Sequence, residues 1–285
     1  MPVVISDWKP APFDLKGETV FAIGDIHGCA DELRALLESI STLVAETKGP
    51  TRLVYLGDLI NRGPDNMGVL RLWAEDESRR GVDRIDRLMG NHEIILLLAA
   101  RRGEHADKAE AMWLLDSMGG TVTLGELQRA AQRPGAVLDR ALLEDALTPE
   151  VVGHLDGMKG HLKIGNALFV HGGLDPSVDE ATLLARPWTQ FTDARWAWIN
   201  RGFLDWKGGF KGTLVVHGHT PPPLHRAISG MEDPHLFEGD RLGLDGGSAR
   251  TGIVTGAVIQ DGRYRILKSG TERASAGPNA ARVPV

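Results

Sequence analysis

Five short apolar runs in this chain each end in a polar cluster that contains glycine: "GDIHG" at 24–28, "GDLINRG" at 57–63, "GNHE" at 90–93, "VHGG" at 170–173 and "VHGHT" at 216–220. No other feature of the sequence restricts the fold as much. A run such as "TVFAIGD" or "TRLVYLGD" reads as a short strand, and the glycine with a polar neighbour reads as the turn that closes it. In open α/β sheets, ligands gather at the carboxyl ends of strands. Here those ends supply Asp25, His27, Asp58, Asn91, His92, His171, His217 and His219, which include five of the ten histidines. Any one cluster alone reads as a turn or a helix cap; five together point to a shared site. Carboxylates mixed with imidazoles suit Mn²⁺, Fe or Zn²⁺ better than Ca²⁺ or Mg²⁺.

The spacing between the clusters sets the fold class. Helical periodicity follows the first three strands, in "DELRALLESISTLVAE", "DNMGVLRLWAEDE" and "EIILLLAARR". Repeated strand–helix units predict an α/β fold with part of its sheet parallel. Residues 103–160 read as helical throughout and are expected to form an insertion or cap. Strand character returns with "HLKIGNALFVHGG", a hairpin around Gly165-Asn166, and continues through "TLVVHGHT", "RLGLDGG", "GIVTGAVIQDG" and "RYRILKS". One domain over 1–270 is expected, with 271–285 as a disordered tail. A net charge of −6 argues against nucleic acid or an anionic membrane as partner. The single Cys29 excludes an intramolecular disulfide and, with no signal-like segment, makes the cytoplasm the expected location. The oligomeric state has no signature in the sequence.

In order and residue type, "GDIHG", "GDLINRG", "GNHE", "HGG" and "HGHTP" resemble the five signatures of the calcineurin-like metallophosphoesterases. The branch is the one containing serine/threonine phosphoprotein phosphatases and symmetrical diadenosine tetraphosphatases. The resemblance implies a four-layer α/β/β/α sandwich and two divalent metals, Mn²⁺ foremost, with Fe or Zn²⁺ as alternatives. It implies Asp25 and His27 on the first metal, Asp58 bridging, and Asn91, His171 and His219 on the second. His92 becomes the general acid and Arg62 a phosphate clamp. Arg201 stands near the place of a second phosphate-binding arginine, displaced by one residue, with Asn200 in that place. His217, two residues before His219 on a strand, is expected either to face the site or to pack. Glu93 reads as a first-turn residue suited to the helix dipole.

One departure bears on the substrate. Where phosphoprotein phosphatases carry a second Asp, in Gly-Asp-x-x-Asp-Arg-Gly, this chain has Asn61. The tetraphosphatase branch also lacks that Asp, and "RGPDN" resembles its continuation. An amide can hold His92 but cannot stabilise its charged form as a carboxylate does. The first reading is a phosphomonoesterase of the serine/threonine protein phosphatase type, with a phosphorylated protein or small phosphate as substrate. The alternative is a bis(5'-nucleosyl)-tetraphosphatase or another nucleotide phosphohydrolase. A phosphate-recognising scaffold without turnover is the third reading, and the retained His92 counts against it. Four tryptophans between Trp188 and Trp206 read as core packing, with an aromatic wall for a base as the alternative.

Overall fold

The computed structural model of this chain describes residues 1–190 and 193–271. The expected tail therefore lies outside the described residues, apart from Thr271. Eleven strands are present among the described residues: β1 (Val3–Ile5), β2 (Lys9–Pro10), β3 (Thr19–Ile23), β4 (Thr51–Tyr55), β5 (Arg84–Arg87), β6 (His161–Ile164), β7 (Ala167–Val170), β8 (Leu214–His217), β9 (Arg241–Gly243), β10 (Val254–Gln260) and β11 (Arg263–Ser269). β1 and β2 have no counterpart in the sequence reading. Each is three residues or fewer, too short for an alternating pattern to register.

Seven strands form one sheet in the order β1-β11-β10-β3-β4-β5, with β2 also on β11. The remaining four form a second sheet, β6-β7-β8-β9. β3, β4 and β5 run parallel, as do β7, β8 and β9. Ile23 is in register with Tyr55, and Tyr55 with Arg87, so the turns after these three strands stand level. In the small sheet, Phe169 pairs with Val216 and Val216 with Leu242, which levels the turns there too.

Strand periodicity then sorts the apolar residues into two cores. Val20, Ala22, Val54 and Leu56 of the large sheet meet Phe169, Leu214, Val216 and Leu242 of the small one, so the sheets pack face to face. The opposite faces carry Phe21, Ile23, Leu53 and Tyr55 on one side and Leu168, Val170 and Val215 on the other, each covered by helical segments. The result is an α/β sandwich with helices outside both sheets.

Helices α1 (Ala30–Glu46), α2 (Asn66–Ala74), α3 (Glu77–Arg80) and α4 (Asn91–Ala100) cover the large sheet. Every residue of α4 is buried, which is why "NHEIILLLAA" shows no polar stripe. The stretch expected to be helical contains α5 (Ala106–Trp113), α6 (Gly120–Ala130), α7 (Arg140–Ala146) and α8 (Pro149–Asp156). Its Ala109 and Trp113 join the core that α4 occupies. Asp139 and Thr148 cap the last two helices, with Pro149 in the first turn of α8. No helix among the described residues is long and apolar enough to cross a membrane.

Candidate active site

All five polar clusters converge where the level strand ends of the two sheets meet. The convergence needs tight backbone. His27, Asp58, Asn61, Arg62 and His219 all have positive φ, between 43° and 75°. Each such non-glycine residue costs on the order of 1 kcal/mol, and such strain gathers at functional sites. Two glycines make room for the carboxylates. A Cβ on Gly90 would lie 2.2 Å from Asp58 Oδ1, and one on Gly218 would lie 2.1 Å from Asp25 Oδ1.

Ring nitrogens sort the histidines by task. A backbone carbonyl can only accept, so a ring nitrogen bonded to one carries a proton. His27 Nδ1 lies 2.8 Å from Ile60 O, His171 Nδ1 2.9 Å from Leu56 O, and His219 Nε2 3.1 Å from Trp198 O. Each ring therefore turns its other nitrogen inward, the arrangement that outer-sphere hydrogen bonds impose on metal-binding imidazoles. His27 Nε2 stands 3.6 Å from Asp58 Oδ2, and His171 Nε2 stands 3.3 Å from Asp58 Oδ1. Asn91 Oδ1 lies 3.0 Å from both His171 Nε2 and His219 Nδ1. His219 Nδ1 and Asn91 Oδ1 are both acceptors, and two acceptors at that distance suit a cation that both would bind.

His92 is held the other way round. Its Nδ1 lies 2.7 Å from Asn61 Nδ2, an amide donor, so Nδ1 accepts and the ring proton sits on Nε2. That Nε2 is 3.8 Å from Asp58 Oδ2. His92 thus points an N–H, not a lone pair, into the site.

The electrostatics also call for a cation. Asp25, Asp58, Glu93 and Asp245 are all buried. Burial, Asp245 and Asp58 push the Asp25 carboxyl well above its ordinary range. Burial with Asp58 nearby raises Glu93 to about 7 and Asp245 to about 6. Burial would raise Asp58 too, but His171, His92 and His27 outweigh it and hold it well below the usual value. For His171, burial pulls downward, yet Asp58 and Asp25 raise it to about 10. Burial, with Arg62 beside it, lowers His27 to about 4, and burial, with His27 and Arg62 nearby, holds His92 well below its ordinary value despite Asp58. A divalent cation bound here would take the place of the His171 proton and balance the carboxylates. Donor atoms of His27, Asp58 and His92 lie within 4.8 Å of one another, as do those of Asp58, His171 and His219. Asp58 is common to both groups. The donor set fits two hard-to-borderline divalent metals.

Asp25 reaches the site by accepting from the His219 N–H at 3.0 and 3.1 Å. Arg62 is exposed, directs NH1 to His27 Nε2 at 3.0 Å and gives Nε and NH2 to Ser117 O. Arg201 is exposed at the start of the short helix Arg201–Leu204, whose cap is Asn200.

His217 takes the packing alternative and Glu93 does more than expected. β8 ends at His217, and His219 follows through a turn at φ 68°, so strand alternation does not carry His217 into the site. Its ring packs instead edge-on to Phe203, with centroids 4.9 Å apart. Glu93 is more than a first-turn residue. It accepts from Gly90 N, and also from Asp58 N and Leu59 N at 2.9 Å, so it anchors the loop that carries Asp58.

Other residues the sequence did not single out come from a distance. Asp245 follows β9, and its Oδ1 accepts from Gly247 N. The helical stretch supplies Gly119 O to Arg62 N, Thr123 to Asn61, and Glu126 to Asn66 and Met67. Among the tryptophans, Trp196 is core, Trp198 lends its carbonyl to His219, and Trp188 lies under the Arg101 guanidinium at 4.4 Å. Cys29 is buried in the core.

The chain matches the calcineurin-like phosphoesterase family over residues 18–248. It is 33% identical over 168 residues to a symmetrical bis(5'-nucleosyl)-tetraphosphatase of Nitrosospira multiformis, covering 58% of this chain and 48% of that protein. A protein of the same description from Azotobacter vinelandii is 30% identical over 213 residues, covering 70% and 64%. The matched regions thus span about half to two-thirds of these relatives. A crystal structure of a protein proposed to be a diadenosine tetraphosphatase superposes with a TM-score of 0.49 and 21% identity, covering 92% of this chain and 96% of that one.

Proposed function

Because the chain belongs to the calcineurin-like phosphoesterases, we propose that it is a hydrolase of dinucleoside polyphosphates, cleaving a phosphoanhydride of a substrate such as diadenosine tetraphosphate. The observation that carries this reading is the hydrogen bond from Asn61 Nδ2 to His92 Nδ1. It favours the neutral ring with its proton on Nε2, because a charged ring would set an N–H against the amide N–H. A neutral imidazole can lend a hydrogen bond but gives up a proton poorly.

That suffices for one leaving group and not for another. Cleavage between the two central phosphates releases a terminal phosphate oxygen, whose second pKa is about 6. It departs without full protonation. A serine alkoxide is far more basic and needs the proton delivered, a contribution on the order of 10² to 10⁴ in rate. The names of the curated relatives point the same way.

In this reading Asp25 and His27 would hold one divalent metal, Asn91, His171 and His219 a second, and Asp58 both. When bound, the metals neutralise phosphoryl oxygens and lower the pKa of the attacking water. Mn²⁺ suits the mixed donors best, with Fe or Zn²⁺ as alternatives. Arg62, held through Nε and NH2 by Ser117 O, would turn NH1, which lies 3.0 Å from His27 Nε2, to a phosphate. Water attacks in line and gives up a proton to solvent, one P–O bond forms as the bridging P–O bond breaks, and His92 Nε2–H bonds to the departing oxygen. Symmetrical cleavage of diadenosine tetraphosphate then yields two ADP.

The test compares kcat/KM for diadenosine tetraphosphate, a phosphoserine peptide and p-nitrophenyl phosphate with Mn²⁺ present. The dinucleotide is expected to exceed the phosphopeptide by at least about tenfold, with ADP as the nucleotide product. A phosphopeptide rate equal to or above the dinucleotide rate overturns the reading in favour of a protein phosphatase.

A further inference from the structure

Asn61 can orient His92 only if its own amide is oriented. The two ends of that amide have nearly the same shape, and they impose opposite tautomers on the ring. With Nδ2 toward His92, the ring keeps its proton on Nε2, facing Asp58. With Oδ1 toward His92, the ring must donate from Nδ1, and Nε2 turns a lone pair on the substrate. The choice between these states is made outside the five signature clusters.

Thr123 lies on α6, is 1% exposed, and touches Asn61 twice. Its Oγ1 accepts from the Asn61 backbone N–H at 3.1 Å and lies 2.8 Å from Asn61 Oδ1. A hydroxyl has a single proton to give. Its oxygen accepts from the backbone N–H, and its proton goes to the Asn61 side chain, which presents its oxygen. The amide NH₂ is left facing His92. The flipped amide would lose this hydrogen bond and set an N–H against the hydroxyl, which would have to turn its proton to another acceptor.

Helix α6 is fixed for this task. Glu126, one turn further along, accepts from Asn66 Nδ2 at 2.7 Å and from Met67 N at 2.9 Å. Asn66 Oδ1 in turn accepts from the same Asn61 N–H at 2.7 Å. The loop carrying Asn61 is thus clamped to α6 at both Thr123 and Glu126.

We propose that Thr123 is a positioning residue of the active site: through its hydrogen bonds to Asn61 it sets the amide orientation that keeps the His92 proton on Nε2. This rests on the reading of His92 as the hydrogen-bond donor to the leaving oxygen. It gives the helical insertion a part in the reaction.

The experiment combines ¹⁵N NMR of histidine-labelled protein with kinetics. Wild-type protein is expected to show His92 as the Nε2–H tautomer, and Thr123→Val to show the Nδ1–H form or a mixture. With Mn²⁺, Thr123→Val is expected to lower kcat on phenyl phosphate about tenfold and on p-nitrophenyl phosphate clearly less, because a poorer leaving group leans harder on the donor. Thr123→Ser keeps the hydroxyl and should restore both rates and the tautomer. A wild-type His92 in the Nδ1–H form overturns the proposal without any variant. So does a Thr123→Val protein with unchanged tautomer and leaving-group dependence, or equal losses in the Val and Ser variants. His92→Asn separates the two claims. If it loses equally on both phosphates, the donor reading of His92 has failed; if its loss grows with leaving-group basicity while Thr123→Val is silent, only the Thr123 proposal has.

Discussion

His171 and His217 stand at the ends of neighbouring strands, β7 and β8, and neither has any exposed surface. Their chemistry is opposite. His171 faces Asp58 at 3.3 Å with Asn91 beside it, and despite its burial Asp58 and Asp25 raise it to about 10. His217 faces Phe203 and the stacked ring of His225, and burial lowers it to about 3. Burial and residue type are therefore not what makes a histidine a cation site. The difference is the carboxylate, which holds a proton or a metal on His171 and is missing around His217.

The contrast breaks most sharply at the shared carboxylate. Asp58→Asn is expected to lower kcat/KM by on the order of 10² to 10³, the scale of removing one preorganised electrostatic contact or more. Bound metal, measured by atomic emission after desalting, should fall with it. Full metal content with near-normal turnover would remove Asp58 from its bridging place. His171→Asn should lose metal in the same assay, whereas His217→Phe should retain it.

A smaller effect sharpens the role of Asn61. Asn61→Asp places a carboxylate against His92 Nδ1 and raises the pKa of the ring. The acid form then persists to higher pH, so the alkaline limb of the pH–rate profile on phosphoserine peptide moves upward. Activity on that peptide is expected to rise about tenfold, and cleavage of diadenosine tetraphosphate to change less. Steady-state rates at matched metal loading decide it, and equal changes on both substrates would show that the leaving group does not sense this pair.

The smallest expected effect lies with His217 itself. The unfolded chain takes up a proton on this ring near pH 6.5, and the folded chain refuses it until about pH 3. Unfolded protein binds more protons in that window, so stability should fall as pH drops through it. His217→Phe should flatten the dependence of Tm on pH below 6.5, with turnover at neutral pH within about threefold of wild type. An identical Tm profile would mean that the ring is protonated in the fold.

Much of the molecule was legible in advance. The turns after β3, β4, β5, β7 and β8 are local features, each a glycine beside a polar residue behind an apolar run, and local features survive without tertiary context. α4 was legible as a helix over "EIILLLAARR"; its actual start lies two residues earlier, at Asn91, with Gly90 as the cap. β1 and β2 were not, being too short to carry a pattern. His217 stayed open between the site and the core, because strand alternation stops at the last strand residue and the turn that follows is not written in a local pattern. Glu93 was read as a cap, which it is, but its bonds to Asp58 N and Leu59 N bridge 35 and 34 residues. No local pattern encodes such a contact.

The sequence by itself determined that Asp25, His27, Asp58, Asn91, His92, His171 and His219 stand at or just after strand-like runs, and that Asn61 stands beside Arg62 in the second cluster. Which of them would hold a metal came from the resemblance. Only the tertiary structure decided which nitrogen each imidazole turns inward, because that follows from the carbonyl or amide that another element brings to its far side: Ile60 for His27, Leu56 for His171, Trp198 for His219 and Asn61 for His92. Thr123 belongs to the same class, reaching Asn61 across 62 residues. A hydrogen bond needs a partner within about 3 Å at a set angle. Packing sets such distances, and the order of residues along the chain does not.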